Sequence, residues 1–271
     1  MAISVALQVY GVRNAAKEDL RGTLEQVKAM GYEAIELAGL YGHTAKEVKE
    51  MCREIGLTPI SAHVSYRDMI ADPEGVLGTY AEIGCKFVAI PYLHEEDRPG
   101  GANFAGVIEN AKMLGAIAKR LGMQLLYHNH DFEFLKINGK YALDILYEEV
   151  SADLLATELD ICWVRVAGED PVKYIEKYAG RAPIVHLKDY VGNKTDGMYE
   201  LIGIDKKATA DAQAFAFRAV GSGVQDIPAI LAASERAGAS WVIVEQDKPT
   251  DGMTELACAA DSRSYLKSLG Y

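Results

Sequence analysis

The sequence predicts a single α/β domain, a (β/α)8 TIM barrel spanning residues 1–271. Short β-rich runs alternate with longer amphipathic segments along the whole chain, eight of each over about 250 residues. Glycine closes several helical segments just before the next strand, in AMGYEAIEL, EIGLTPIS, EIGCKFVAI and RLGMQLLY. There it suits the left-handed residue that ends a helix. The turn after the first strand, YGVRNAAKE, lacks the G-x-G-x-x-G of a doubly wound open sheet, the main competing fold.

The expected strands, in order, are ISVALQV, AIEL, TPISAHV, KFVAIPY, QLLYHNH, LLATELD, PIVHLKD and WVIVEQD. Their apolar and β-branched content fits strands buried on both faces. The expected helices are Ala16–Gly31, Thr44–Gly56, Asp72–Gly84, Asn103–Gly122, Tyr141–Val150, Pro171–Ala179, Asp226–Gly238 and Met253–Leu269. Asp170-Pro171 marks one start, an N-cap before a proline at the first helical position. No long Ser/Pro-rich linker divides the chain, so one domain is expected. The single GSG, Gly221–Gly223, does not open a phosphate loop of known spacing.

Composition narrows the function. No apolar run approaches the ~20 residues that span a bilayer, so no membrane partner is expected. MAISVALQVYGVRNAAKEDL has no basic region followed by a long apolar core, and no signal peptide is expected. Cys52, Cys85, Cys162 and Cys258 are scattered without a C-x-x-C pair. They read as reduced thiols of a cytoplasmic protein, not as a zinc ribbon or disulfide scaffold. With 28 basic and 39 acidic residues the formal charge is −11, and no basic stripe suits a nucleic-acid backbone. A small-molecule substrate is the expected partner, with a homo-oligomer as one form such barrels take.

In a barrel of this kind, functional residues come from the C-terminal strand ends. Here those ends carry Glu36, His63, His94, His128 and His130, Glu158 and Asp160, His186 with Lys188 and Asp189, and Glu245 with Asp247. Any one of these alone is more often a solvated or hydrogen-bonded residue. Their joint placement, with apolar N-terminal ends, is harder to assign to chance. His128 and His130 are two apart, as are Glu158 and Asp160, so a strand points each pair to one side. Imidazoles and carboxylates converging without thiolates suit a divalent metal such as Mn, Co, Zn or Mg, not a structural zinc.

YHNHDFEF, ELDICWV, IVHLKDY, AVGSGVQDIPAIL and WVIVEQD resemble the xylose isomerase-like TIM-barrel superfamily. This is the sugar phosphate isomerase/epimerase group, with inosose isomerases and dehydratases, ketose 3-epimerases and the endonuclease IV type of repair enzyme. The likeness is strongest from Gln124 to Asp247. It implies a metal held by Glu, Asp, His and Glu from four late strands. Asp160, His186 and Glu245 match the last three; the first Glu is absent, and register puts His128 in its place, with His130 and Glu133 as alternative ligands. Trp163 stands where many relatives carry a substrate-binding histidine. His63 and His94 echo two histidines of the repair enzymes' three-metal cluster, although Trp163 replaces a ligand that cluster needs.

The resemblance implies a metal-dependent sugar isomerase, epimerase or lyase that removes a proton beside a carbonyl. The expected roles are His130 as base, Glu158 orienting an imidazole or handling a second proton, and Lys188 polarising an oxygen or pairing with Asp189. Glu36 and His63 are expected to bind hydroxyls, and Trp163 to stack on a sugar ring or pack in the core. Loss of the first Glu favours an inosose-type or 3-keto-sugar lyase over a strict 3-epimerase. An unphosphorylated substrate is favoured, with Arg165 and Arg218 keeping a phosphate in play. The alternatives are an endonuclease IV-like phosphodiesterase and a sugar-binding barrel without catalysis.

Overall fold

The computed structural model describes residues 3–194 and 215–271. Eight parallel strands follow one another around a barrel: β1 Ser4–Gln8, β2 Ala34–Leu37, β3 Thr58–Ala62, β4 Phe87–Ile90, β5 Gln124–His128, β6 Leu155–Asp160, β7 Ile184–Leu187 and β8 Trp241–Val244. The ring closes between β3 and β4 through the bridge His63–Ala89 and bonds from Lys86 N to Ile60 O (2.8 Å) and Val64 N to Ala89 O (3.1 Å). The principal outer helices are α1 Leu20–Met30, α2 Ala45–Ile55, α3 Pro73–Ile83, α4 Phe104–Arg120, α5 Ala142–Glu149, α6 Pro171–Lys177, α7 Ile227–Ala237 and α8 Glu255–Ser268.

Their ends follow from local chemistry. Thr44 and Glu47 form a reciprocal capping box on α2. Asp72 and Asp170 cap α3 and α6 ahead of Pro73 and Pro171. Gly31 and Gly84 close α1 and α3 at φ 95° and 108°, where a Cβ would be strained.

Two expected boundaries move and one helix is added. The expected helix Ala16–Gly31 is broken at Asp19, whose extended backbone (φ −152°) lets its side chain cap α1 through Gly22 N. The expected strand Gln124–His130 stops at His128, because Glu133 takes the His130 amide and Asn129 turns to bond Asp160. After β6 the chain turns at once into the short helix Ile161–Val166, which Asp160 caps.

The barrel interior is layered. Ala6, Ala34, Ile60, Ala89, Leu126, Ala156, Ile184 and Ile243 form one apolar cluster, one residue from each strand. Four alanines keep that ring narrow enough for eight strands to close without a void. Two residues further on, the same faces of six strands carry Gln8, Glu36, His128, Glu158, His186 and Glu245. On β3 a register shift opposite Ile35/Glu36 intervenes, and His63 reaches the interior instead of Ala62.

Beyond β7 the chain leaves the barrel as Asp189–Gly192, antiparallel to Phe215–Arg218. The buried Asp189 carboxylate accepts from the amides of Tyr190, Gly221, Gly223 and Gln225 at 2.9–3.1 Å. A Cβ on Gly223 would stand 2.1 Å from Asp189 Oδ1. The GSG motif is thus a nest of amides around the protein's own anion.

Candidate metal centre and cavity

The polar ring above the apolar layer carries the site. On β5, β6, β7 and just past β8, the side chains of His128, Asp160, His186 and Glu245 bring one donor atom each to within 4.8 Å of one another. All four are buried. His128 Nε2 stands 3.3 Å from Asp160 Oδ2 and 3.5 Å from Glu245 Oε2, and His186 Nδ1 lies 2.9 Å from Glu245 Oε2. Among the described residues neither ring nitrogen of His128 has a hydrogen-bond partner, and Asp160 Oδ2 faces His128 Nε2 and, at 3.2 Å, the Lys188 ammonium. Buried polar atoms are nearly always satisfied, so this group is shaped for a shared cation.

Electrostatics agree. Burial opposes protonation of His128, yet Asp160 and Glu245 raise it to about 9. Burial likewise opposes protonation of His186, and Glu158 and Glu36 overcome it and raise it well above the usual imidazole range. Protons are drawn to the atoms that a divalent ion would occupy. Two imidazole nitrogens and two carboxylate oxygens without sulfur fit Mn, Co, Zn or Mg.

A second network adjoins the first. His63 Nε2 lies 2.6 Å from Glu158 Oε2 and 3.2 Å from Glu36 Oε1. Glu36 Oε1 accepts from Gln8 Nε2 (2.7 Å) and lies 2.8 Å from His186 Nε2. Burial raises the Glu36 carboxyl; burial would raise Glu158 too, but His186 and His63 hold it well below the carboxylate range. Glu36, expected to bind a substrate hydroxyl, is instead fully buried behind His63 and His186 and absent from the cavity wall.

A cavity of about 360 Å³ opens over this floor. Tyr10, Ala38, Tyr66, Pro91 and Tyr92 give it an aromatic and apolar wall, and its polar lining includes His63, His94, His128, His130, Lys188, Glu245 and Asp247. His130 stacks parallel on Phe132 (2°, centroids 5.3 Å) and meets Tyr92 edge-on. Burial, then the charges of His128 and Lys188, push its imidazole well below its ordinary value, so it is neutral at pH 7. Of the two expectations for Trp163, a sugar-ring stack or a place in the core, the second holds: it is fully buried behind His130 at 5.0 Å and does not line the cavity. It gives His130 a platform.

Lys188 does not pair with Asp189, whose oxygens are taken by the amides of the GSG nest. Its ammonium lies 2.8 Å from Asp247, 2.9 Å from Glu245 and 3.2 Å from Asp160. Glu133, an alternative ligand, is also committed elsewhere: it accepts Tyr127 OH at 2.7 Å and the His130 amide at 2.8 Å. Asp247 and Gln8 are the partners sequence reasoning gave no role, although both stood at strand ends. Arg165 and Arg218 do not line the cavity. Arg67 does, and is paired with Glu96 and, at 3.6 Å, Asp97.

Among the described residues no helix is long and apolar enough to cross a membrane. The model of the family described as xylose isomerase-like TIM barrel matches residues 24–269. An inosose dehydratase of Geobacillus kaustophilus is 21% identical over 91% of this chain and 86% of its own length. One from Clostridium perfringens is 27% identical over 59% of this chain, which spans about half (52%) of that relative. Among solved structures, a sugar phosphate isomerase/epimerase from Parabacteroides distasonis superposes with a TM-score of 0.77 at 21% identity, covering 99% of this chain and 94% of that one. The IOLI protein, solved with a zinc atom, gives 0.74 at 16% identity over 98% of each chain. At these identities the structural likenesses show the fold alone.

Proposed function

The chain belongs to the xylose isomerase-like TIM barrel family, and from that premise we propose that it is a divalent-metal-dependent dehydratase or lyase of an unphosphorylated keto-sugar or inosose. The observation that carries this reading is a buried imidazole, His130, on the wall of a cavity floored by the set His128, Asp160, His186 and Glu245. Relatives named inosose dehydratase support the same substrate class. Isomerisation or epimerisation would begin with the same proton abstraction. Elimination is preferred because one base serves it, whereas epimerisation needs a proton donor on each face.

His128, Asp160, His186 and Glu245 would hold the metal. A divalent ion held there would supply Lewis acidity to the substrate carbonyl. The His130 ring nitrogen accepts the proton from the carbon next to the carbonyl; burial keeps the imidazole neutral and so ready to do this. The resulting imidazolium returns the proton to the departing β-hydroxyl, which leaves as water, and the electron pair closes the new double bond. Lys188 places positive charge beside the oxygen where negative charge develops. His63, oriented by Glu158, offers its other ring nitrogen as an acceptor to a hydroxyl at the cavity edge. Tyr10, Tyr66 and Tyr92 cover the apolar face of the ring.

The test is exchange of solvent deuterium into an inosose or 3-keto-sugar, followed with product release in metal-loaded protein. His130→Ala is expected to abolish exchange, with a loss of at least about 100-fold, while metal content stays that of the parent. Retained exchange in that variant would remove His130 from the base role.

A further inference from the structure

The proposed chemistry uses the charge of Lys188 but does not account for the three carboxylates it contacts. Its ammonium is buried and contacts three carboxylates at 2.8–3.2 Å. Two of those contacts are to Asp160 Oδ2 and Glu245 Oε2, the oxygens that also face His128 Nε2. Only Asp247 Oδ2 is private to the lysine. A bound divalent ion and the ammonium therefore draw on the same two oxygens. Like charges sharing anions in a buried site repel strongly, because little water screens them.

Resting on the metal reading above, we infer that Lys188 is a built-in competitor of the metal: its charge balances Asp160 and Glu245 and sets the affinity that an incoming cation must exceed. Asp247 is the counter-ion that retains the ammonium when those oxygens turn to the metal. The arrangement has two consequences. Without metal, Lys188 protects the fold from unbalanced buried carboxylates. With metal, it weakens binding, so that only a cation of sufficient affinity fills the site at a given concentration.

The experiment is Mn2+ and Zn2+ titration by calorimetry, with thermal melts in chelator and in excess metal, on the full chain and on Lys188→Met and Lys188→Arg. Lys188→Met is expected to bind Mn2+ at least about tenfold more tightly than the parent. Its melting temperature should fall in chelator and recover with metal. Lys188→Arg, which keeps the charge, should stay within about threefold of the parent affinity. If Lys188→Met does not fold even with metal, the double variant Lys188→Met/Asp247→Asn removes the cation together with its private counter-ion and should still bind more tightly than the parent. Unchanged or weaker binding in the variant that folds overturns the inference. A parent that binds neither ion overturns the metal reading itself, which separates the two failures.

Discussion

Two layers of one barrel interior lie two residues apart on the same strands and differ in almost everything else. The lower ring, from Ala6 to Ile243, is wholly apolar. The upper brings Gln8, Glu36, His128, Glu158, His186 and Glu245 to equivalent inward faces, just as deeply buried. The strand ladder satisfies the backbone in both, so the contrast belongs to side chains alone. Burial in the lower ring stabilises the fold; in the upper ring it sets carboxylates against desolvation and is tolerable only with positive charge nearby. His128, His186 and Lys188 supply that charge. The polar ring is a poor way to stabilise a barrel and a good way to hold a cation.

Substitutions in each layer test whether the two are separable. Leu126→Ala, in the apolar ring directly beneath His128, is expected to cost about 2–5 kcal/mol in chemical denaturation. Its metal stoichiometry should remain that of the parent; loss of metal would mean that the layers are coupled, not stacked. A smaller effect is expected at the junction, where Glu133 holds the loop that carries His130. Burial raises its carboxyl to about 7 from an ordinary 4.5. The folded state therefore holds this proton more tightly than the unfolded chain, and stability present below pH 4.5 is lost as pH rises through about 7. Glu133→Gln removes that titration. Relative to the parent it should gain up to about 3 kcal/mol between pH 5 and pH 8, read from denaturation midpoints at each pH. An unchanged pH profile would show that Glu133 does not titrate in that range.

The barrel was legible in the sequence because strand runs, helix-ending glycines and capping aspartates agree with one another. The strand ends were legible because period-two alternation carries one side of each strand inward, so Leu126 leads to His128 and Ile243 to Glu245. Depth was not legible. Glu36 stands at a strand end as expected and Trp163 in the helix just after one, but whether such a residue meets the cavity or lies behind another side chain depends on packing between distant strands. The helix Ile161–Val166 was missed because six residues without a polar face give no helical period. The His128–His130 spacing predicted a shared strand face, whereas His130 reaches the cavity from a turn fixed by Glu133. Pairing with its sequence neighbour Asp189 was one of two readings of Lys188, yet its ammonium meets Asp247, Glu245 and Asp160 from other strand ends.

The central claim is that the upper ring holds a divalent metal through His128, Asp160, His186 and Glu245. Elemental analysis after dialysis against Mn2+, Co2+ or Zn2+ tests it most directly, with Asp160→Asn alongside. The account predicts about one equivalent per chain in the parent, a thermal stability that chelator lowers, and loss of both in the variant. Less than about a tenth of an equivalent in folded parent protein, with no response to chelator, would contradict it.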